Sequence, residues 1–76
     1  MQFQKFAKRV ERIEKLIVSE TTGSPNELAN KLGISKRMTL YYIEYMRESG
    51  NVILYSSVSK TYYYSKKKNA GAMKLH

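Results

Sequence analysis

The chain has 76 residues, a formal net charge of +8 from 14 Lys and Arg against 6 Asp and Glu, and no cysteine. This length predicts one small domain with a modest core, and the missing cysteines exclude a disulfide framework and a cysteine-ligated zinc site. The positive charge favours an anionic partner, with nucleic acid ahead of a membrane surface. The apolar runs are far shorter than the roughly 20 residues of a spanning helix, and the N-terminal stretch lacks the features of a signal peptide, so we expect a cytoplasmic protein.

Apolar residues recur at spacings of three and four near the N-terminus and predict a first helix. We expect it to run from about Phe3 to Ser19, with charged side chains on its solvent side. The apolar face, which we expect to meet the core, consists of Phe3, Phe6, Val10, Ile13 and Ile17.

A strong helix start comes next. Ser24, Pro25 and Glu27 have the spacing of a capping box with proline at the first helical position. The second helix should therefore run from about Pro25 to Lys31. Gly33 suits the left-handed residue that commonly follows a helix end.

The third helix should begin after Ser35, which can cap it, and span about Lys36 to Glu48. A helical wheel places Leu40 and Ile43 on the inward side and Tyr42 at the border of the core. The N-terminal half of the helix then presents an exposed set consisting of Lys36, Arg37, Met38, Tyr41 and Tyr42, and Tyr45 follows on the outward side.

Two segments rich in β-branched and aromatic residues follow, Val52–Tyr55 and Thr61–Tyr64, and the residues between them can turn the chain into a hairpin. Strand alternation places Tyr62 and Tyr64 on one face and Tyr63 on the other. We expect a single domain over residues 1–65, mostly α with a small β-hairpin, that is, a three-helix bundle plus a wing. Residues 66–76 show no periodicity and predict a basic, flexible tail.

The segment SPNELANKLGISKRMTLYYIEYMRESGNVILYSSVSKTYYY resembles the winged helix-turn-helix DNA-binding domains of bacterial transcription regulators, of the DeoR and biotin-repressor types. The resemblance implies sequence-specific binding of double-stranded DNA, with the third helix in the major groove. It also implies a role in transcription regulation at the nucleoid. The residues that carry it are Leu28-Ala29, Leu32-Gly33-Ile34-Ser35, Arg37, Ile43, Met46 and Gly50.

The candidate DNA contacts combine this resemblance with the chemistry of the exposed residues. Lys and Arg contact phosphates or guanine edges, methionine can touch a thymine methyl, and tyrosine hydroxyls reach phosphates. The lysines of the wing and tail would add affinity that depends on salt but not on sequence. The candidate residues are Ser35, Lys36, Arg37, Met38, Tyr41, Tyr42, Tyr45, Lys60, Lys66 and Lys67.

Two other functions compete with DNA binding. The tyrosines of the third helix and the wing could form a surface for a protein partner. Alternatively, Tyr62–Tyr64 could stack on the bases of RNA or single-stranded DNA. A homodimer, formed through the first helix or the tyrosine-rich strand, would strengthen binding to a duplex.

Catalytic signals are weak throughout the sequence. His76 is the only histidine, and the glycines do not form a phosphate-binding loop. We therefore expect no enzymatic activity, no metal, no cofactor, no small-molecule substrate and no membrane association.

Overall fold

Three helices and a two-stranded antiparallel hairpin follow one another in the predicted order. The computed structural model describes residues 2–65, with side chains from residue 4 onward. The elements are α1 (Gln2–Val18), α2 (Pro25–Leu32), α3 (Lys36–Glu48), β1 (Ile53–Ser56) and β2 (Thr61–Tyr64). The predicted bundle with a small hairpin is confirmed, with α3 and β2 at their predicted bounds. The predicted tail and the side chain of Phe3 lie outside the described part.

Local hydrogen bonds fix both ends of α2. The Ser24 hydroxyl accepts from the Glu27 N–H at 3.2 Å, and the Glu27 carboxylate accepts from the Ser24 N–H at 2.7 Å, which completes the predicted capping box. Gly33 ends the helix with φ at 71°, in the left-handed region that glycine tolerates best. The next residue, Ile34, donates its N–H to the Ala29 carbonyl at 3.1 Å. The chain therefore reverses within a short turn and enters α3.

The core draws on all three helices and both strands. Phe6 and Val10 of α1 pack against its edge. Ile53 of β1 is buried in the same cluster as the helix residues. Fully burying a side chain of this kind contributes about 1.5–3 kcal/mol, so the hairpin belongs to the same folding unit as the helices. The buried cluster consists of Ile13, Ile17, Leu28, Leu32, Tyr42, Ile43, Met46, Ile53 and Tyr62.

Two polar contacts attach the hairpin to the bundle. The buried Thr22 hydroxyl, in the loop between α1 and α2, accepts from the Tyr62 N–H at 2.8 Å and lies 3.1 Å from the Thr61 hydroxyl. On the other strand, the Arg47 guanidinium donates from Nε and Nη2 to the Ile53 carbonyl, at 3.0 and 2.8 Å. β2 is thus bonded to the loop between α1 and α2, and β1 is bonded to α3, so both strands are attached to the helical bundle.

Candidate nucleic-acid interface

The start of α3 presents two cations to solvent. Ser35 has extended backbone angles, and its hydroxyl accepts from the Met38 N–H at 3.1 Å, so the predicted N-cap is present. Lys36 and Arg37 follow it directly, and both are exposed. The N-terminus of a helix carries a partial positive charge, which adds to the charge of these side chains. The first turn of α3 therefore combines two exposed cationic side chains with the positive end of the helix dipole.

Burial defines which side of α3 faces outward. The inward residues are Thr39, Tyr42, Ile43 and Met46. At about 100° per residue, the direction opposite them is shared by Arg37, Tyr41, Glu44 and Glu48. Met38 and Tyr45 lie along one margin of this outward face and Leu40 along the other, and all three are 42 % exposed. The predicted outward positions of Arg37, Met38, Tyr41 and Tyr45 are confirmed.

The predicted inward position of Leu40 is wrong. Leu40 is 42 % exposed, whereas Thr39 is fully buried. The Thr39 hydroxyl donates to the Ser35 carbonyl at 2.9 Å, which removes the cost of burying a polar group at this position. The threonine therefore takes the core position, and the leucine joins the outward surface.

Tyr42 is not available as the DNA contact that the sequence predicts. Only 2 % of it is exposed, and its ring stacks on Phe6 with centroids 5.0 Å apart. Its hydroxyl accepts from Arg9 Nη1 at 3.4 Å, so its polar end is also engaged within the protein. Tyr42 is a core residue that joins α1 to α3. Tyr45 packs edge-on against the same phenylalanine at 4.9 Å but remains accessible at the margin.

The hairpin tip carries the remaining described candidate, Lys60. This lysine is exposed, and its φ of 52° lies in the left-handed region, which is uncommon for residues other than glycine. Beside it Val58 is 92 % exposed. Hydrogen bonds from Ser24 hold the pKa of Glu27 below its ordinary value, and the positive charges of Lys31 and Lys60 lower it further. The last two candidates, Lys66 and Lys67, lie outside the described residues.

The three consecutive tyrosines of β2 do not form one stacking surface. Tyr62 is 4 % exposed and lies edge-on to Tyr55 at 4.9 Å, and burial raises the pKa of its hydroxyl. Burial also raises the pKa of Tyr64, with a further contribution from the negative charge of Glu14. Tyr63 and Tyr64 both line an open groove of about 560 Å³, together with Glu20 and Leu54, so this groove does not separate the two faces of the strand as predicted. No residue of α3 lines this groove.

The described part of the chain offers neither a metal site nor a membrane span. Between residues 2 and 65, no three His, Cys, Asp or Glu side chains are grouped so that they could hold a metal ion. Over the same residues, every helix is too short or too polar to cross a membrane. Comparison of the chain with protein-family models, curated proteins and solved structures finds no match. The function must therefore be inferred from the geometry of the chain itself.

Sequence reasoning missed the bond that Arg47 makes. Its guanidinium donates two hydrogen bonds to the Ile53 carbonyl of β1. A bond between two elements of the fold leaves no mark in the residue pattern, so the sequence does not predict it. Glu44, one helical turn earlier, is exposed and lies on the outward face in line with Arg37 and Tyr41.

Proposed function

We propose that the protein binds double-stranded DNA in a sequence-specific manner and acts as a small winged helix-turn-helix regulator of transcription. The observation that carries the proposal is the start of α3, where Lys36 and Arg37 extend into solvent and the exposed ring of Tyr41 follows Arg37 by one turn. The stretch from Lys36 to Ile43 contains no acidic residue. The short turn lets α2 pack against α3 while the outward face of α3 stays exposed, which is the arrangement that allows a helix to enter the major groove.

The exposed side chains in the first two turns of α3 supply both kinds of contact that sequence-specific DNA binding needs. Lys36 lies nearest the helix start and suits a phosphate, whereas Arg37 points outward and suits the acceptor pair of a guanine edge. Tyr41 follows one turn later and can donate its hydroxyl to a phosphate. Met38 and Leu40, at the two margins, provide apolar surface for thymine methyl groups. The net charge of +8 would attract the protein to any duplex before these contacts form.

The hairpin would act as a second point of attachment. Its ties through Thr22 and Arg47 hold it rigidly on the bundle, so Lys60 at the tip can make a backbone contact at a fixed distance from α3. A lysine in this role adds affinity without reading sequence.

A protein-binding role is the second candidate, and the exposed apolar margin of α3 favours it. Met38, Leu40 and Tyr45 are each 42 % exposed, and Tyr41 is 62 % exposed. Aromatic residues and methionine are enriched in protein interfaces, so this surface suits a partner protein as well as a groove. The two roles differ in their dependence on the cations, because a protein partner would depend mainly on the apolar side chains.

Charge-removing variants separate these candidates. Lys36→Ala with Arg37→Ala removes two positive charges from α3, and Lys8→Ala with Arg12→Ala removes the same charge from exposed positions of α1. The assay is fluorescence anisotropy with a labelled duplex at several salt concentrations. We expect the α3 variant to bind more weakly than the α1 control, with a log–log salt slope smaller by about one for each phosphate that the variant no longer neutralises.

Equal losses in the two variants would refute the assignment of α3 as the DNA-binding helix, because they would show that only net charge matters. Duplex binding that is absent in the unaltered protein would refute DNA binding altogether. Circular dichroism of each variant checks that the helical content is retained.

A further inference from the structure

The outward face of α3 carries two acidic residues, Glu44 in its middle and Glu48 at its C-terminal end. Glu44 follows Arg37 by seven residues and Tyr41 by three, which places it on the same side of the helix. In a protein with a net charge of +8, a carboxylate at this position reduces the attraction to phosphates. Its presence on the proposed reading face therefore calls for a contact that benefits from a negative charge.

The carboxylate of Glu44 makes one exposed ion pair within α3. Its Oε1 lies 3.6 Å from Arg47 Nη1, one helical turn further along. The Arg47 guanidinium is itself fixed by its two hydrogen bonds to the Ile53 carbonyl of β1. An exposed ion pair of this kind adds little to stability, so Glu44 can exchange this contact for another at low cost. The second carboxylate oxygen stays available for another donor.

We propose, on the basis of the DNA-binding function proposed above, that Glu44 determines base specificity by accepting a hydrogen bond from the amino group of a cytosine in the major groove. An ionised carboxylate is an acceptor only. Cytosine presents the N4 amino donor there, whereas the amino group of adenine lies beside the N7 acceptor, which repels a carboxylate. Guanine and thymine present acceptors to the groove. Cytosine is therefore the base that matches Glu44.

The helix geometry also predicts where this cytosine lies. Seven residues of α-helix span about 10 Å, at 1.5 Å per residue. Successive base pairs are about 3.4 Å apart along the duplex. If Arg37 reads a guanine, the Glu44 contact lies at most about three base pairs from it, because a helix in the major groove is inclined to the duplex axis.

The test compares two glutamates on the same face of α3. Unaltered protein, Glu44→Gln, Glu44→Ala and Glu48→Gln are each used to select duplexes from a random pool, and dissociation constants are then measured on duplexes that differ at one position. Glu48 lies one turn beyond Glu44, so its variant removes the same charge from the same side. Because both glutamates are exposed, thermal unfolding should show the variants to be folded.

We expect the unaltered protein to prefer cytosine at one position by about five- to tenfold, the lower part of the range for a base contact. Glu44→Ala should lose that preference, and Glu44→Gln should shift it towards adenine, which glutamine recognises. Glu48→Gln should keep the cytosine and change affinity equally for all duplexes.

Two outcomes contradict the inference in distinguishable ways. If the unaltered protein selects a sequence that Glu44→Gln and Glu44→Ala leave unchanged, the role of Glu44 is refuted and DNA binding stands. If the unaltered protein selects no sequence, the proposed function fails and the role of Glu44 fails with it.

Discussion

Removing one buried hydroxyl should loosen the hairpin from the helices. Thr22 is fully buried, and its hydroxyl accepts from the Tyr62 N–H at 2.8 Å and donates to the Gly23 carbonyl at 2.9 Å. Thr22→Val keeps the shape of the side chain but leaves the Tyr62 N–H buried without an acceptor. An unsatisfied buried donor costs about 1–3 kcal/mol. We therefore expect the free energy of unfolding to fall by about 2 kcal/mol.

The predicted loss is large enough to measure in a chain of this size. For a domain of 60 to 100 residues, each 1 kcal/mol shifts the melting temperature by about 4–8 °C, so the variant should melt roughly 8–16 °C lower. Urea unfolding should show a lower midpoint with an unchanged slope. Amide exchange should show that the Tyr62 N–H loses protection more than the amides of α1 do.

The neighbouring threonine provides the matched control. Thr21 is exposed, and its hydroxyl lies 2.8 Å from the Ser19 hydroxyl at the surface. Thr21→Val should change the unfolding free energy by no more than about 0.5 kcal/mol. Thr22→Val and Thr21→Val with the same stability would refute the argument that the buried hydroxyl holds β2 on the bundle.

Two further predictions concern α3 and the start of α2. Ile43→Ala should lower the free energy of unfolding by about 2–5 kcal/mol because Ile43 is 1 % exposed, whereas Leu40→Ala should lower it by about 1 kcal/mol or less. Equal losses for the two variants in urea unfolding would show that α3 packs in another orientation. Hydrogen bonds from Ser24 lower the pKa of Glu27 in the folded protein, so its contribution to stability is complete above its ordinary value of 4.5 and disappears as the pH falls through the lower folded pKa. Glu27→Gln should therefore lose less stability than the unaltered protein between neutral and acidic pH, and identical pH profiles would contradict the capping role of the carboxylate.

Helix ends were the most predictable feature of the fold because their signals are local. The capping box at Ser24 and Glu27, the left-handed Gly33 and the cap at Ser35 each depend on side chains and backbone within a few residues. The hairpin strands were predictable from their aromatic and β-branched composition. These signals do not depend on how the elements pack, so the sequence alone predicts them.

The orientation of α3 about its axis was less predictable. Two orientations of the helix both bury Ile43. One of them also buries Leu40 and the other buries Thr39, and hydrophobicity alone favours the first. The choice depends on a hydrogen bond to the Ser35 carbonyl and on the packing of Tyr42 against Phe6. A hydrophobicity scale cannot predict these contacts, because they depend on which individual atoms meet in the folded protein. The sequence prediction of Tyr42 as a DNA contact failed for the same reason.

The central claim is that the outward face of α3 binds duplex DNA, and nuclear magnetic resonance tests it most directly. Isotope-labelled protein would be titrated with the duplex that selection from a random pool enriches most. We predict that the largest chemical-shift changes occur at Lys36, Arg37, Tyr41 and Glu44, with smaller changes at Lys60. Changes confined to α1 or to the groove beside Tyr63, with α3 unaffected, would contradict the claim.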